Sequence, residues 1–104
     1  MIENDIRTLL ESPSSGEEAP TLVHIEHALT TGYARAMALE AEQSRLQRRI
    51  AEVVVELADG DVGLPDPELK RLAQELKATN CDLVQLRTLL ESLRTRAEVA
   101  RAAA

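Results

Sequence analysis

LVHIEHALTTGYARAMALEAEQSRLQRRIAEVVVEL, residues 22–57, is the stretch whose reading decides the fold. With Leu22 at heptad position a, the a series runs Leu22, Leu29, Ala36, Gln43, Ile50 and Leu57. The d series runs Ile25, Gly32, Leu39, Leu46 and Val53. Only Gly32 and Gln43 break the apolar pattern, so the stretch predicts a long amphipathic helix with one stripe facing another helix. A second run repeats the rhythm, with Leu69, Leu76, Leu83, Leu90 and Ala97 at a and Leu72, Thr79, Leu86, Leu93 and Ala100 at d. Asp59 to Asp66 lies between them and holds Gly60 and Gly63, a turn signal.

Two runs of matched length joined by a short connection predict an all-α fold, a long antiparallel helical hairpin of coiled-coil type. The helices are expected over about 21–58 and 67–101 of a hairpin spanning 21–104. Thr21 is placed to cap the first helix, and Asp66 and Pro67 to start the second, with Glu68 favouring its positive end. Val62 and Leu64 are placed to tuck over the end of the hairpin. Pairing Leu57 with Leu69 sets a register in which Gly32 lies near Leu93 and Ala36 near Leu90. The same register brings Gln43, Thr79 and Asn80 together as a polar layer of the kind that fixes register at some cost in stability.

The first 20 residues read differently. Ile2, Ile6, Leu9 and Leu10 form a short amphipathic segment with Asn4 available as a cap, marginal in water unless it docks on something. Ser12 to Pro20 (SPSSGEEAP) has no apolar face and reads as a flexible acidic linker.

Composition narrows the class. Tyr33 is the only aromatic residue among 104, and Trp and Phe are absent, so a sheet-on-helix core is excluded in favour of long helices. Two helices alone make a thin core, and Val23, Ala34, Met37, Ala38, Ala41, Val54, Val55, Ala73, Val84 and Leu89 widen the apolar stripes beyond one seam. That width predicts a homodimeric four-helix bundle or a partner protein in the groove. The net charge of −6 argues against a general nucleic-acid or anionic-membrane binder. Cys81 stands alone, no apolar run reaches membrane-spanning length, and the N-terminus does not read as a signal peptide. The cytoplasm is the expected compartment, and an excess of Arg over Lys with abundant Ala points to a bacterial source.

No constellation for chemistry emerges. His24 and His27 stand three apart, as two metal ligands on one helix face would, but no second ligand cluster accompanies them. Glu40 with Glu42 and Glu52 with Glu56 are close in sequence, yet a narrow helix pair offers no pocket to separate their pKa values. Ser44 and Ser92 have no His within reach. No catalytic residue, metal site or cofactor is expected. The arginines are the notable polar set: Arg45, Arg48 and Arg49 on the first helix, with Arg87, Arg94, Arg96 and Arg101 on the second. Surface ion pairs with acids three or four residues away are the plainer reading. Contact of Arg45, Arg48, Arg49 and Arg94 with a phosphate-bearing ligand, such as a second-messenger nucleotide, or with RNA is the alternative.

The architecture is similar to that of small helical-hairpin dimers that bind RNA loops. The E-x3-S-x2-R-x3-Q-x3-D pattern of bacterial anti-sigma hairpins that hold cyclic di-GMP is met by Glu40 and Ser44. Gln47, Ala51 and Val55 stand in place of its Arg, Gln and Asp. The chain is therefore assigned to no family. The expected function is a non-enzymatic, homodimeric interaction module, a bacterial regulatory or adaptor protein that binds another protein. Its seam is expected in Leu22, Leu29, Leu39, Leu46, Ile50 and Val53 against Leu72, Leu76, Leu83, Leu86, Leu90 and Leu93.

Overall fold

The computed structural model describes residues 1–13, 16–60 and 67–103. These form three helices and no strand: α1 (Ile2–Glu11), α2 (Leu22–Asp59) and α3 (Pro67–Ala103). None of the described helices is long and apolar enough to cross a membrane.

Local chemistry accounts for the helix ends. Thr21 caps α2 as expected: its Oγ1 accepts the backbone N–H of His24 at 3.2 Å, and its carbonyl accepts that of Ile25 at 3.0 Å. The expected cap of α1 is corrected. The helix begins at Ile2 behind Met1, which contributes no side-chain cap, and Asn4 lies inside the first turns. Its Oδ1 accepts from Arg7 at 3.4 Å instead. α1 stops at Ser12, extended ahead of Pro13. The linker is turned at Gly16, whose φ of 95° suits glycine, with the Ala19 N–H donating to the Gly16 carbonyl at 3.2 Å. α3 starts at Pro67 with Glu68 in its first turn. The roles assigned to Val62, Gly63, Leu64 and Asp66 fall outside the described residues.

The chain divides into two compact units, one of Met1–Met37 with Val84–Ala104 and the other of Ala38–Leu83. In the first, α2 and α3 run antiparallel, as Glu26 meets Arg101 and Gly32 meets Leu90. Ile25, Ala28, Leu29 and Ala36 of α2 are buried with Leu86, Leu90, Leu93 and Ala97 of α3. α1 lies on this pair with Ile6 fully buried and Leu9 nearly so. An isolated ten-residue helix is marginal in water, so α1 depends on its docking to be a helix at all. In the second unit Leu46, Val53 and Leu72 form a buried cluster. Ile50, Leu57, Leu69 and Leu76 pack against it but are only partly buried. Leu39 and Leu83 are buried as well, and Leu22 of the first unit is partly exposed. No polar or charged residue is among the buried ones described.

Gly32 meets Leu90 most closely, one turn of α3 from the Leu93 expected beside it. A Cβ built there would overlap Cδ2 of Leu90 and would lie 3.3 Å from Cδ1 of Ile6. At this glycine of α2, side chains of α1 and α3 both come close. Two effects compete on adding a methyl: helix propensity favours Ala by about 1 kcal/mol, while overpacking costs about 1–3 kcal/mol. Leu90 is buried and has little room to turn away, so the overlap wins. Gly32→Ala is expected to lower the unfolding free energy by about 1 kcal/mol in a urea titration. In a Leu90→Ala background the same change is expected to be stabilising. A stabilised Gly32→Ala chain with Leu90 intact would show that close approach is not the reason for the glycine.

Candidate functional site

Two of the four arginines named as alternative phosphate contacts, Arg45 and Arg49, are committed to carboxylates. Arg45 donates from Nε to Glu42 at 2.9 Å, with a second, shorter contact to the same carboxylate. That hydrogen bond holds the Glu42 carboxyl below its ordinary range and raises the Arg45 guanidinium. Because the Glu42 value is depressed, the pair favours the fold above the usual carboxylate range and is lost as acid titrates through the lowered value. Arg49 donates to Glu68 of α3 at 3.0 and 2.8 Å and to Glu52 at 3.2 Å, and lies 3.7 Å from Glu56. The Glu68 hydrogen bond is the largest cause of its raised pKa, with Glu52 next. Arg48 and Arg94 are exposed, with no carboxylate within ion-pair distance among the described residues.

Sequence spacing favoured pairs along one helix, and Arg71 with Glu75 at 2.8 Å and Arg49 with Glu52 are of that kind. The pairs that matter for architecture run between helices. Arg101 reaches Glu26 of α2 at 3.1 Å, not the nearer Glu98, and Arg49 reaches Glu68. Such pairs stitch the edges of antiparallel helices and are invisible to an i, i+4 count. The polar layer is present in the second unit, where Gln43 Nε2 donates to Asn80 Oδ1 at 2.7 Å, both residues partly buried.

The residue that sequence reasoning missed is Arg96. Its guanidinium donates to the carbonyls of Leu10 at 2.9 Å and Pro13 at 2.6 Å, with a further short contact to that of Ser12. These are carbonyls at and just past the end of α1, which have no partner inside the helix, and a cation there also complements the helix dipole. Arg35 of α2 lies 3.8 Å from Glu3 near the other end of α1. The second Glu3 oxygen is buried with no hydrogen-bond partner among the described residues, a cost borne for docking the helix. Only the excess of arginine on the second run hinted at such a role.

His24 and His27 line an open groove of about 320 Å³ with Ile2, Asp5, Thr8 and Leu9 of α1 and Ala28 and Thr31 of α2. Among the described residues no three His, Cys, Asp or Glu side chains form a group that could hold a metal ion. Cys81 is exposed on α3. No protein-family model, no curated protein and no solved structure matches the chain.

Arg96 carries the α1 clamp, so its removal should free that helix before anything else. Hydrogen bonds from a charged donor contribute about 1.5–3 kcal/mol each at most. Arg96→Ala is expected to strip hydrogen-exchange protection from residues 2–11 while α2 and α3 keep theirs. Unchanged protection in α1 would show that Ile6 and Leu9 hold it without the clamp.

Proposed function

We propose that the chain is a non-enzymatic helical interaction module that self-associates as a four-helix bundle and binds another protein. In this reading it serves a regulatory or adaptor role in a bacterial cytoplasm. The observation that carries the reading is apolar surface with nothing of its own chain over it. Met37 and Val23 in the first unit are 69% and 77% exposed, and Val55 in the second is 60% exposed. Exposed apolar side chains mark contact surfaces where they form a contiguous stripe.

In this reading, self-association uses the outward side of α2 in the second unit. On the outward side of α2, heptad positions f and b read Ala41, Ser44, Arg48, Ala51, Val55 and Ala58. Their 3-4 spacing repeats that of the inner seam, so α2 bears a second stripe of coiled-coil rhythm. All but Arg48 are small or apolar, and small residues let two helices approach closely. A second copy packing its α2 against this stripe would leave the inner seam intact.

The competing reading, a phosphate-bearing ligand or RNA held by Arg45, Arg48, Arg49 and Arg94, draws less support. Arg45 and Arg49 would have to give up carboxylate partners to take part.

Sedimentation equilibrium on the full chain is the deciding measurement. A mass of two chains is expected, and Val55→Asp should reduce it to one while circular dichroism stays unchanged. A single-chain mass for the unaltered protein would sink the bundle. If replacing Arg45, Arg48 and Arg49 together by Ala abolished a salt-sensitive interaction with nucleotide or RNA, the competing reading would take its place.

A further inference from the structure

In the second unit the two sides of the helix pair are finished differently. On one side Arg49 and Glu68, both at heptad position g, bond across at 2.8 Å and close the edge over the seam. The other side carries Val54 and Ala73, both at position e and too short to bridge. Val54 is 49% exposed and Ala73 is exposed. Beside them lie Ile50 and Leu57 of α2 and Leu69 and Leu76 of α3, the four seam residues that are only partly buried. Residues 50, 54 and 57 and residues 69, 73 and 76 share the i, i+4, i+7 spacing of one helix face. The Gln43–Asn80 hydrogen bond lies beyond Ile50 and Leu76 and bounds this apolar face at one end.

The borders of the face are unlike. Next to Ala73 on α3, position b holds Lys70 and Lys77, the only two lysines in the chain. Both are exposed, and neither has a carboxylate within ion-pair distance among the described residues. Arg45, Arg49 and Arg71 of the same unit are paired, and Arg48, which is not, stands at position f of α2, outside both borders of the face. On α2 the matching border positions are Ala51 and Ala58, without charge.

We propose that this face receives one amphipathic helix of a partner protein, its apolar side on the Val54–Ala73 edge and its carboxylates toward Lys70 and Lys77. The inference rests on the reading of the chain as an interaction module and names the chemistry of the partner. A second copy of the chain fits the face poorly. Laid on its own image, the face sets its lysines against lysines or against Ala51 and Ala58, with no acid at those positions to receive them. The first unit already holds an acidic helix of this kind, since α1 carries Glu3, Asp5 and Glu11 and is seated by Ile6 and Leu9. The face is about two helical turns long, so the occupant is a short helix that is unstable alone and folds as it binds.

The test titrates the full chain with a synthetic peptide of about three turns, bearing Leu at i, i+3, i+4 and i+7 and Glu along one flank. A twin peptide carries Lys in place of each Glu. The acidic peptide is expected to bind and to shift the methyl resonances of Ile50, Val54, Leu57, Leu69 and Leu76. The Lys twin should bind about tenfold more weakly or worse, and Lys70→Glu with Lys77→Glu should reverse the preference. Both lysines are exposed, so the double variant should keep the helical circular dichroism of the parent. Equal binding of the two peptides, binding of neither, or shifts confined to other residues would overturn the proposal. Native mass on a Val54→Asp chain separates it from the reading beneath it. Loss of a two-chain mass there would assign the face to a second copy and overturn the proposal, with self-association upheld. A single-chain parent that binds the acidic peptide through these methyls would uphold the proposal and sink the bundle.

Discussion

A pair of amphipathic helices can shelter only one stripe on each, and this chain has almost no aromatic side chains with which to thicken the result. Its fully buried residues of largest volume are Ile6, Ile25, Leu46, Leu83, Leu86, Leu93 and Val53, all aliphatic. Each fully buried residue of this size contributes about 1.5–3 kcal/mol, so every seam position left partly open is a sizeable loss. The two units meet the limit in different ways. The first adds a third helix and buries Leu29, Ala36, Leu90 and Ala97 at position a. In the second, Ile50, Leu57, Leu69 and Leu76 at the same heptad position remain partly exposed.

Charge serves as edging for these thin cores. Glu26 with Arg101 and Arg49 with Glu68 tie α2 to α3 within their respective units. Being half-exposed, such pairs add little energy, but they select one lateral alignment of the helices over its neighbours. Arg96 does a different job, satisfying main-chain oxygens that would otherwise lack partners. Arginine suits this task because its planar group presents several donors in fixed directions.

Periodicity made the long helices legible almost to the residue, because a heptad stripe and the Thr21 and Pro67 start signals are local features. The Gln43–Asn80 layer was legible for the same reason, since Gln43 interrupts one apolar run and Thr79, next to Asn80, interrupts the other. The docking of α1 was only half legible. Ile6 and Leu9 show that the segment has a face to bury, but nothing in a ten-residue pattern says which surface will receive it. The Gly32 contact falls on Leu90, one turn of α3 from Leu93 on the same face, while the Glu26–Arg101 pair farther from the loop stays close to the counted register. The groove beside His24 and His27 was out of reach altogether, since half its lining comes from α1.

The clamp at Arg96 also has a bearing on the order of folding. Its partners, the carbonyls of Leu10 and Ser12, stand 86 and 84 positions earlier in the chain. Contacts of such sequence separation carry a high loop-closure cost and form late. During synthesis α1 therefore emerges long before the part of its receiving surface that α3 supplies, and its docking is expected to come late. The first helix of the chain is the last to find its place.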